Sequence, residues 1–226
     1  MELALSLLSV FYLNIRLNYA ETLNTTIKFL VAAFVFLVKC STTPFLKMKA
    51  FKKIKRCPPI TNKILYIPLY ELATKIRRQE LTSEEVVTAY IQRCREVNPV
   101  INAIVENRFE AALEEARDVD RFIKSGVKTE EVLARDTPLL GIPVTVKESV
   151  SVKGMSHSAG QTTNKRIVAS NDADVVKRVK KAGGIILLVS NTPELCMCWE
   201  TYNNVTGTTW NPYDTRKTPG GSSGGE

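Results

Sequence analysis

Hydrophobic residues are distributed along this chain in three different ways, and each predicts a different kind of element. One is an unbroken block: Phe29 to Val38 reads FLVAAFVFLV, ten apolar residues bracketed by Lys28 and Lys39. A second is helical spacing. Leu72 and Ile76 stand four apart within a predicted helix over 70–79. Thr82-Ser83-Glu84-Glu85 then has the S/T-x-x-E pattern in which the first residue and the glutamate satisfy each other's backbone amides at a helix start. Val86, Val87, Tyr90, Ile91 and Cys94 continue on one face, and Asn98-Pro99 is expected to end that helix. Phe109, Ala112, Leu113, Ala116, Val119 and Phe122 line a further helix over 108–124, stopped near Gly126, and a short one is expected over 130–134.

The third pattern is the continuous, β-branched run of a buried strand. Leu139 to Val146 is one, with Lys147 at its end, and Ile185 to Val189 is another. A helix over 172–182, closed by Gly183-Gly184, joins them, and Ile101 to Val105 suggests a short extra strand. Buried strands connected through a helix indicate an α/β fold, a mixed sheet flanked by helices. Asn191-Thr192-Pro193-Glu194 reads as a helix start with proline in its first turn. Residues 203–219 are polar and turn-rich. The chain thus divides into an N-terminal membrane-anchor region at 1–40, a basic linker at 41–65 in which Pro44, Pro58 and Pro59 are expected to break any helix, and an α/β part at 66–226.

Charge sharpens that division. Residues 1–63 hold ten Lys or Arg and two Asp or Glu, whereas 64–226 hold 21 of each. The overall +8 therefore belongs to the N-terminal arm and is no sign of a nucleic-acid face on the α/β part, for which no nucleic-acid partner is expected. A membrane crossing needs about 20 apolar residues. The ten-residue block is short of that, although Ile27, Thr25 and Thr26 and lysines whose stems lie along apolar surface extend it. Leu3 to Leu13 is a second short candidate. Lys47, Lys49, Lys52, Lys53, Lys55 and Arg56 follow with no acid among them, a cluster that attracts anionic headgroups and favours the cytoplasmic side. The arm reads as a single-pass or monotopic anchor. A cleaved signal peptide and a poorly ordered extension stay open beside it.

Candidate chemistry gathers at two places. A lysine ending an apolar strand must have its amine paired, solvated or neutralised, and burial suits a lysine to general-base work; the plainer reading is that Lys147 reaches solvent or pairs with Glu148. Pro219-Gly220-Gly221-Ser222-Ser223-Gly224-Gly225-Glu226 sets two hydroxyls among glycines that permit close backbone approach. It also fits G-x-S-x-G with Ser223 in the nucleophile position, yet polar loop, not strand, precedes it. The single histidine, His157, reads as a loop residue rather than a base. Cys40, Cys57, Cys94, Cys196 and Cys198 are odd in number and scattered, a poor framework for disulfides or a metal.

The segments PLLGIPVTVKES, NTPELCMCWETYN and TRKTPGGSSGGE, in this order, resemble the amidase signature hydrolases, and with the apolar arm most of all the fatty-acid amide hydrolase branch. The resemblance spans residues 66–226. It implies a serine hydrolase that cleaves fatty-acid amides to fatty acid and amine by a Ser–cis-Ser–Lys triad, at intracellular membranes, with a homodimer among the expected assemblies and with no metal or cofactor. By motif position Lys147 is the base and Ser222 the bridging serine after a cis peptide bond. Ser223 is implied to support the lysine by hydrogen bonding nearby, and Cys196 and Met197 to line the acyl pocket. The acyl-forming serine and the oxyanion amides of the family come after the double serine and have no counterpart in these 226 residues. The chain is accordingly expected to be an N-terminal fragment, inactive by itself. Alternatives are a short non-catalytic product acting as a membrane-tethered partner subunit, and an unrelated tethered binding module.

Overall fold

The computed structural model describes residues 2–51, 53–165 and 167–226, except for the side chains of 2–21, 46, 49 and 50. It divides into two compact units, Met1–Lys53 and Ile54–Glu226.

The first unit is one helix, α1 (Glu2–Ala50), of 49 residues. Pro44 lies inside it and does not break it, contrary to the expectation for a 41–65 linker. Proline removes one donor and strains one turn, but the neighbouring hydroxyls are absorbed locally: Ser41 and Thr42 donate to the Val38 carbonyl and Thr43 to that of Lys39. The ten-residue apolar block is likewise the middle of a longer segment. Thr22–Phe45, 24 residues, is long and apolar enough by length and composition to cross a membrane, about 36 Å at ~1.5 Å per residue. The Leu3–Leu13 side chains, and those of Lys49 and Lys52 in the basic cluster, lie outside the described residues.

The second unit is built on a three-stranded sheet of β1 (Ile104–Asn107), β2 (Pro143–Lys147) and β3 (Ile185–Ser190), in the order β1-β3-β2. β2 runs parallel to β3, and β1 antiparallel to it. All six residues of β3 are buried. Ile185 and Leu187 pack against Val87, Ile91, Phe109, Ala112 and Ala116 of α3 (Ser83–Ile101) and α4 (Phe109–Lys124). Ile186 and Val189 face the other way, toward Val152, Met155 and Val176, the last on α6 (Asp174–Lys181). The register of β2 on β3 shifts between Val144 and Thr145, a bulge that lets Leu187 and Leu188 join the same cluster. A third cluster gathers α2 (Leu69–Arg77), α5 (Glu130–Asp136), Leu140 and Ile142.

Local chemistry explains the starts and stops. Thr82 Oγ1 accepts from the Glu85 amide and Glu85 accepts from the Thr82 amide, so the capping box is complete. The Asp120 carboxylate takes the next two amides, Ser83 at 2.6 Å and Glu84 at 3.0 Å. The helix passes through Pro99 to Ile101, two residues beyond the expected stop, and ends at Asn102 in the left-handed region. Asn98 does the terminating work from inside, its side-chain oxygen accepting from Ala103 and Ile104. The segment after β3 is not a helix start: Glu194–Cys196 is a single 3-10 turn, because Leu195 and Cys196 take φ of +51° and +58°, from which no right-handed helix propagates.

Between α6 and β3 the backbone at Gly183 has φ +93°, and a Cβ there would meet the Leu140 backbone at 2.6 Å. Gly126, at φ +66°, has open space around it. Gly183→Ala is therefore expected to destabilise by roughly 2–4 kcal/mol and Gly126→Ala by about 1 kcal/mol. Denaturant titration of the detergent-solubilised chain measures both, and equal losses would contradict this packing.

Candidate active site

Two elements far apart in sequence meet at the end of the sheet. Lys147 closes β2 opposite Ser190, the last residue of β3. Its Nζ donates to Ser222 Oγ at 2.7 Å, joining residues 75 apart. Both side chains are half-buried. The peptide bond between Gly221 and Ser222 is cis. Glu148, next to the lysine, is not its partner: it is 1% exposed and accepts from Ser156 Oγ, from Ser158 through both amide and hydroxyl, and from the Ala159 amide. A buried carboxylate so supplied with donors is satisfied without a cation, which leaves the Lys147 amine to the serine.

What holds Ser222 in place is the threonine-rich stretch around it. Thr201 is fully buried; its hydroxyl donates to Gly220 O at 2.7 Å and accepts from the Gly224 amide at 3.0 Å. One side chain thus pins both arms of the double-serine loop. Thr192 Oγ1 donates to Ser222 O at 3.3 Å. The glycines are there because nothing larger fits: a Cβ on Gly224 would lie 2.2 Å from Thr201 Oγ1, and one on Gly225 2.4 Å from the Asn191 amide nitrogen. Asn191 and Asn203, both buried, anchor this wall in turn. Asn203 Nδ2 donates to Asn191 Oδ1 at 2.8 Å and to Thr192 O at 2.6 Å, and Asn191 Nδ2 donates to Thr209 Oγ1 at 2.9 Å. The Glu226 carboxylate accepts from the hydroxyls of Thr145 and Ser190.

The other expected residues divide. Cys196 comes to the site, its sulfur 3.2 Å from Thr192 Oγ1. Burial works to raise its thiol pKa but is outweighed by hydrogen bonds with Ser149 and Thr192 and by the charge and hydrogen bonding of Lys147, so the thiol titrates below its ordinary range. Met197 is 85% exposed, on the same turn. Ser223 is exposed, and among the described residues its hydroxyl has no hydrogen-bond partner; the Lys147 amine bonds to Ser222 and not to Ser223. His157 is half-buried beside Ser151 Oγ (3.2 Å) and Glu148 O (3.3 Å), away from Ser222. Among the described residues, no group of three or more His, Cys, Asp or Glu side chains converges as metal ligands would. The sequence assigns none of Thr201, Thr192, Asn191 and Asn203 to the site: Asn191 and Thr192 read there as part of a helix start and Asn203 as the first residue of a polar, turn-rich stretch.

Comparison with known proteins shows which family the chain falls in. A family model described as Amidase matches residues 85–226. Fatty-acid amide hydrolase 2-A of Danio rerio is 51% identical over 173 residues, 76% of this chain and 32% of that protein. Fatty-acid amide hydrolase 2 of Homo sapiens is 40% identical over 199 residues, 88% of this chain and 37% of that one. Among solved structures, a fatty acid amide hydrolase superposes with a TM-score of 0.68 at 28% identity, covering 75% of this chain and 29% of that chain. The peptide amidase of Stenotrophomonas maltophilia does so at 0.63 and 28%, covering 72% and 33%. The chain spans about a third of the length of the curated relatives it matches.

The contact between Lys147 and Cys196 carries a measurable consequence. Lys147→Met removes a cation that favours the thiolate, so the pH midpoint for alkylation of Cys196 is expected to move upward, with that of Cys57 unchanged. Peptide-resolved iodoacetamide labelling between pH 6 and 10 reads it. An unmoved Cys196 midpoint would mean that the two groups are not in contact.

Proposed function

The chain belongs to the amidase signature family, and we propose that it supplies the proton relay of a membrane-anchored serine hydrolase acting on fatty-acid amides. The observation that carries this reading is the 2.7 Å contact between Lys147 Nζ and Ser222 Oγ. A lysine at a strand end has no structural need of a loop serine 75 residues away. A relay does need one, at hydrogen-bond distance and in a fixed orientation.

In its neutral form the Lys147 amine accepts the Ser222 hydroxyl proton along that contact, while Ser222 takes a proton from the attacking hydroxyl. The nucleophile in this proposal is a serine from outside these 226 residues, and so are the amides that stabilise the oxyanion. The amide C–N bond breaks as Ser222 returns the proton to the leaving amine and Lys147 reprotonates Ser222. Water then attacks the acyl carbon while giving a proton to the same relay, and the relay returns that proton to the departing serine oxygen as the fatty acid is released. Thr192 and Thr201 hold the Ser222 backbone, and Cys196 and Met197 are proposed to meet the substrate. Fatty-acid amides as substrates rest on the names of the relatives at 51% and 40% identity.

The anchor is α1. At about 36 Å its apolar segment exceeds a hydrocarbon core of ~30 Å, with Lys28 and Lys39 near enough to the ends for their amines to reach the headgroups. The charge bias of the basic residues after Phe45 favours a cytoplasmic α/β unit in this proposal.

Hydrolysis of a long-chain primary fatty-acid amide tests the relay, in membranes expressing the polypeptide translated from the whole gene in which this chain occurs. Lys147→Ala and Ser222→Ala are each expected to lower kcat/KM by about 10²–10⁴, and the 226-residue chain assayed alone to show no turnover. Full activity in the Lys147→Ala protein would exclude the relay. Alkaline carbonate extraction tests the anchor separately: the chain is expected in the membrane pellet, and release into the supernatant would refute a spanning α1.

A further inference from the structure

The stretch that connects the two units is built as a surface rather than as a slack tether. From residue 53 to residue 62 the chain runs outside helix and strand, yet residues 55 and 58 are fastened to the rest of the α/β unit. The Lys55 amide donates to Thr215 Oγ1 at 2.8 Å, and Thr215 Oγ1 donates back to Lys55 O at 3.2 Å. Arg93 donates to Pro58 O at 2.8 Å. Beyond it, Asn62 caps a turn at Lys63–Tyr66, and α2 begins at Leu69.

Held in this way, the strap exposes side chains that water alone does not explain. Tyr66 is 67% exposed, Leu69 57% and Tyr70 74%, while α2 covers its core with Leu72, Ala73 and Ile76 instead. Ile60 is exposed beside them, its carbonyl accepting from the Tyr66 hydroxyl. The charge is one-sided. Residues 46–70 contain seven Lys or Arg and not one Asp or Glu. Aromatic and aliphatic side chains interleaved with lysine and arginine, without acids, are the composition of a surface that lies in the headgroup layer of a bilayer. Only eight residues, 46–53, separate the end of the apolar segment from the strap.

The hydrogen bonds at Thr215 tie the strap to the loop 211–217, whose Tyr213 is 93% exposed and whose Lys217 is also solvent-facing. That loop is ordered by its own pair: Arg216 holds the Asp214 carboxyl down to about 2. It leads directly into Pro219–Glu226, which carries Ser222.

We propose that the strap of residues 54–70, together with the Tyr213 loop, is a second membrane contact, a fixed face of the α/β unit that docks on an anionic lipid surface. Lys55, Arg56 and Lys63 meet lipid phosphates and carboxylates. Tyr66, Leu69, Tyr70 and Tyr213 enter the headgroup layer. Docked so, the loop bearing Ser222, which follows the Tyr213 loop directly, stays near the bilayer surface from which a lipid amide would come. The inference rests on the anchor reading above and adds an orientation that the anchor by itself does not impose.

Hydrogen–deuterium exchange of the full chain distinguishes the two. The protein is reconstituted into nanodiscs of phosphatidylcholine alone, into discs that also contain phosphatidylserine, and into detergent. Amides of 54–62 lie outside helix and strand and exchange fast unless something covers them. In anionic discs, peptides covering 54–62 and 211–217 are expected to exchange about tenfold more slowly than in neutral discs. Protection should fade at high salt, as the Debye length falls from about 10 Å toward 3 Å. The double variant Lys55→Glu, Arg56→Glu should bring the rate back to within about twofold of the neutral-disc value. If the protein fails to co-purify with discs, the anchor reading fails. If it co-purifies but these peptides exchange alike in all three settings, the docking face is refuted while the anchor stands. Protection that depends on protein concentration and not on lipid charge would assign the face to a second copy of the chain and overturn the proposal.

Discussion

β3 is the only strand of the three-stranded sheet with neighbours on both sides, and all six of its residues are buried. Its backbone bonds to β1 and β2, and its side chains divide between two apolar clusters, so it cannot shift without breaking both ladders and both packings. The site is referenced to it from two directions. Lys147 reaches its place because β2 runs parallel to β3 and ends opposite Ser190. The double-serine loop reaches its place because the residues after Ser190 continue buried: Asn191 packs under Gly225, and Thr192 bonds to the Ser222 carbonyl.

The second half of the site is polar rather than apolar, and it obeys a stricter rule. Asn191, Thr192, Thr201, Asn203 and Thr209 are each at most 3% exposed. Buried amides and hydroxyls must find partners or cost the fold free energy, and here they find one another and the backbone. The result is directional. An apolar wall of the same volume would let a glycine-rich loop slide, whereas a hydroxyl that donates to Gly220 and accepts from Gly224 allows one arrangement. A lysine–serine pair 75 residues apart in sequence is held at one distance by this kind of support, and a proton relay of the kind proposed tolerates little displacement.

Elements whose causes are local were legible beforehand. The capping box at Thr82 and Glu85, the helical spacing from Val86 to Cys94, and the β-branched run into Lys147 each depend on residues within a few positions, and each formed. Three expectations failed where a neighbour overruled a local rule. Pro44 sits inside α1 among residues whose hydroxyls bond back along the helix. Pro99 is carried in the last turn of α3, because Asn98 supplies the stop from its side chain. Thr192-Pro193-Glu194 looked like a helix start, but the left-handed conformations at Leu195 and Cys196 turn the chain back toward Lys147. The resemblance pointed to Lys147 and Ser222 by motif position. It could not show that, among the described residues, the Ser223 hydroxyl has no hydrogen-bond partner, nor that Glu148 is spent on the 156–159 loop.

By itself the amino-acid sequence determined the α/β alternation, the basic apolar arm and the residues of the glycine-rich loop, since spacing, charge and backbone permissiveness are properties of short stretches. Only the tertiary structure decided that Lys147 meets Ser222, that Thr201 is the clasp on that loop, and that the residues following α1 are fastened down with their aromatic side chains outward. The reason is physical. A hydrogen bond across 75 residues is set by how β2 and β3 pair and by which buried polar groups remain to be satisfied, and neither quantity exists until the chain has folded.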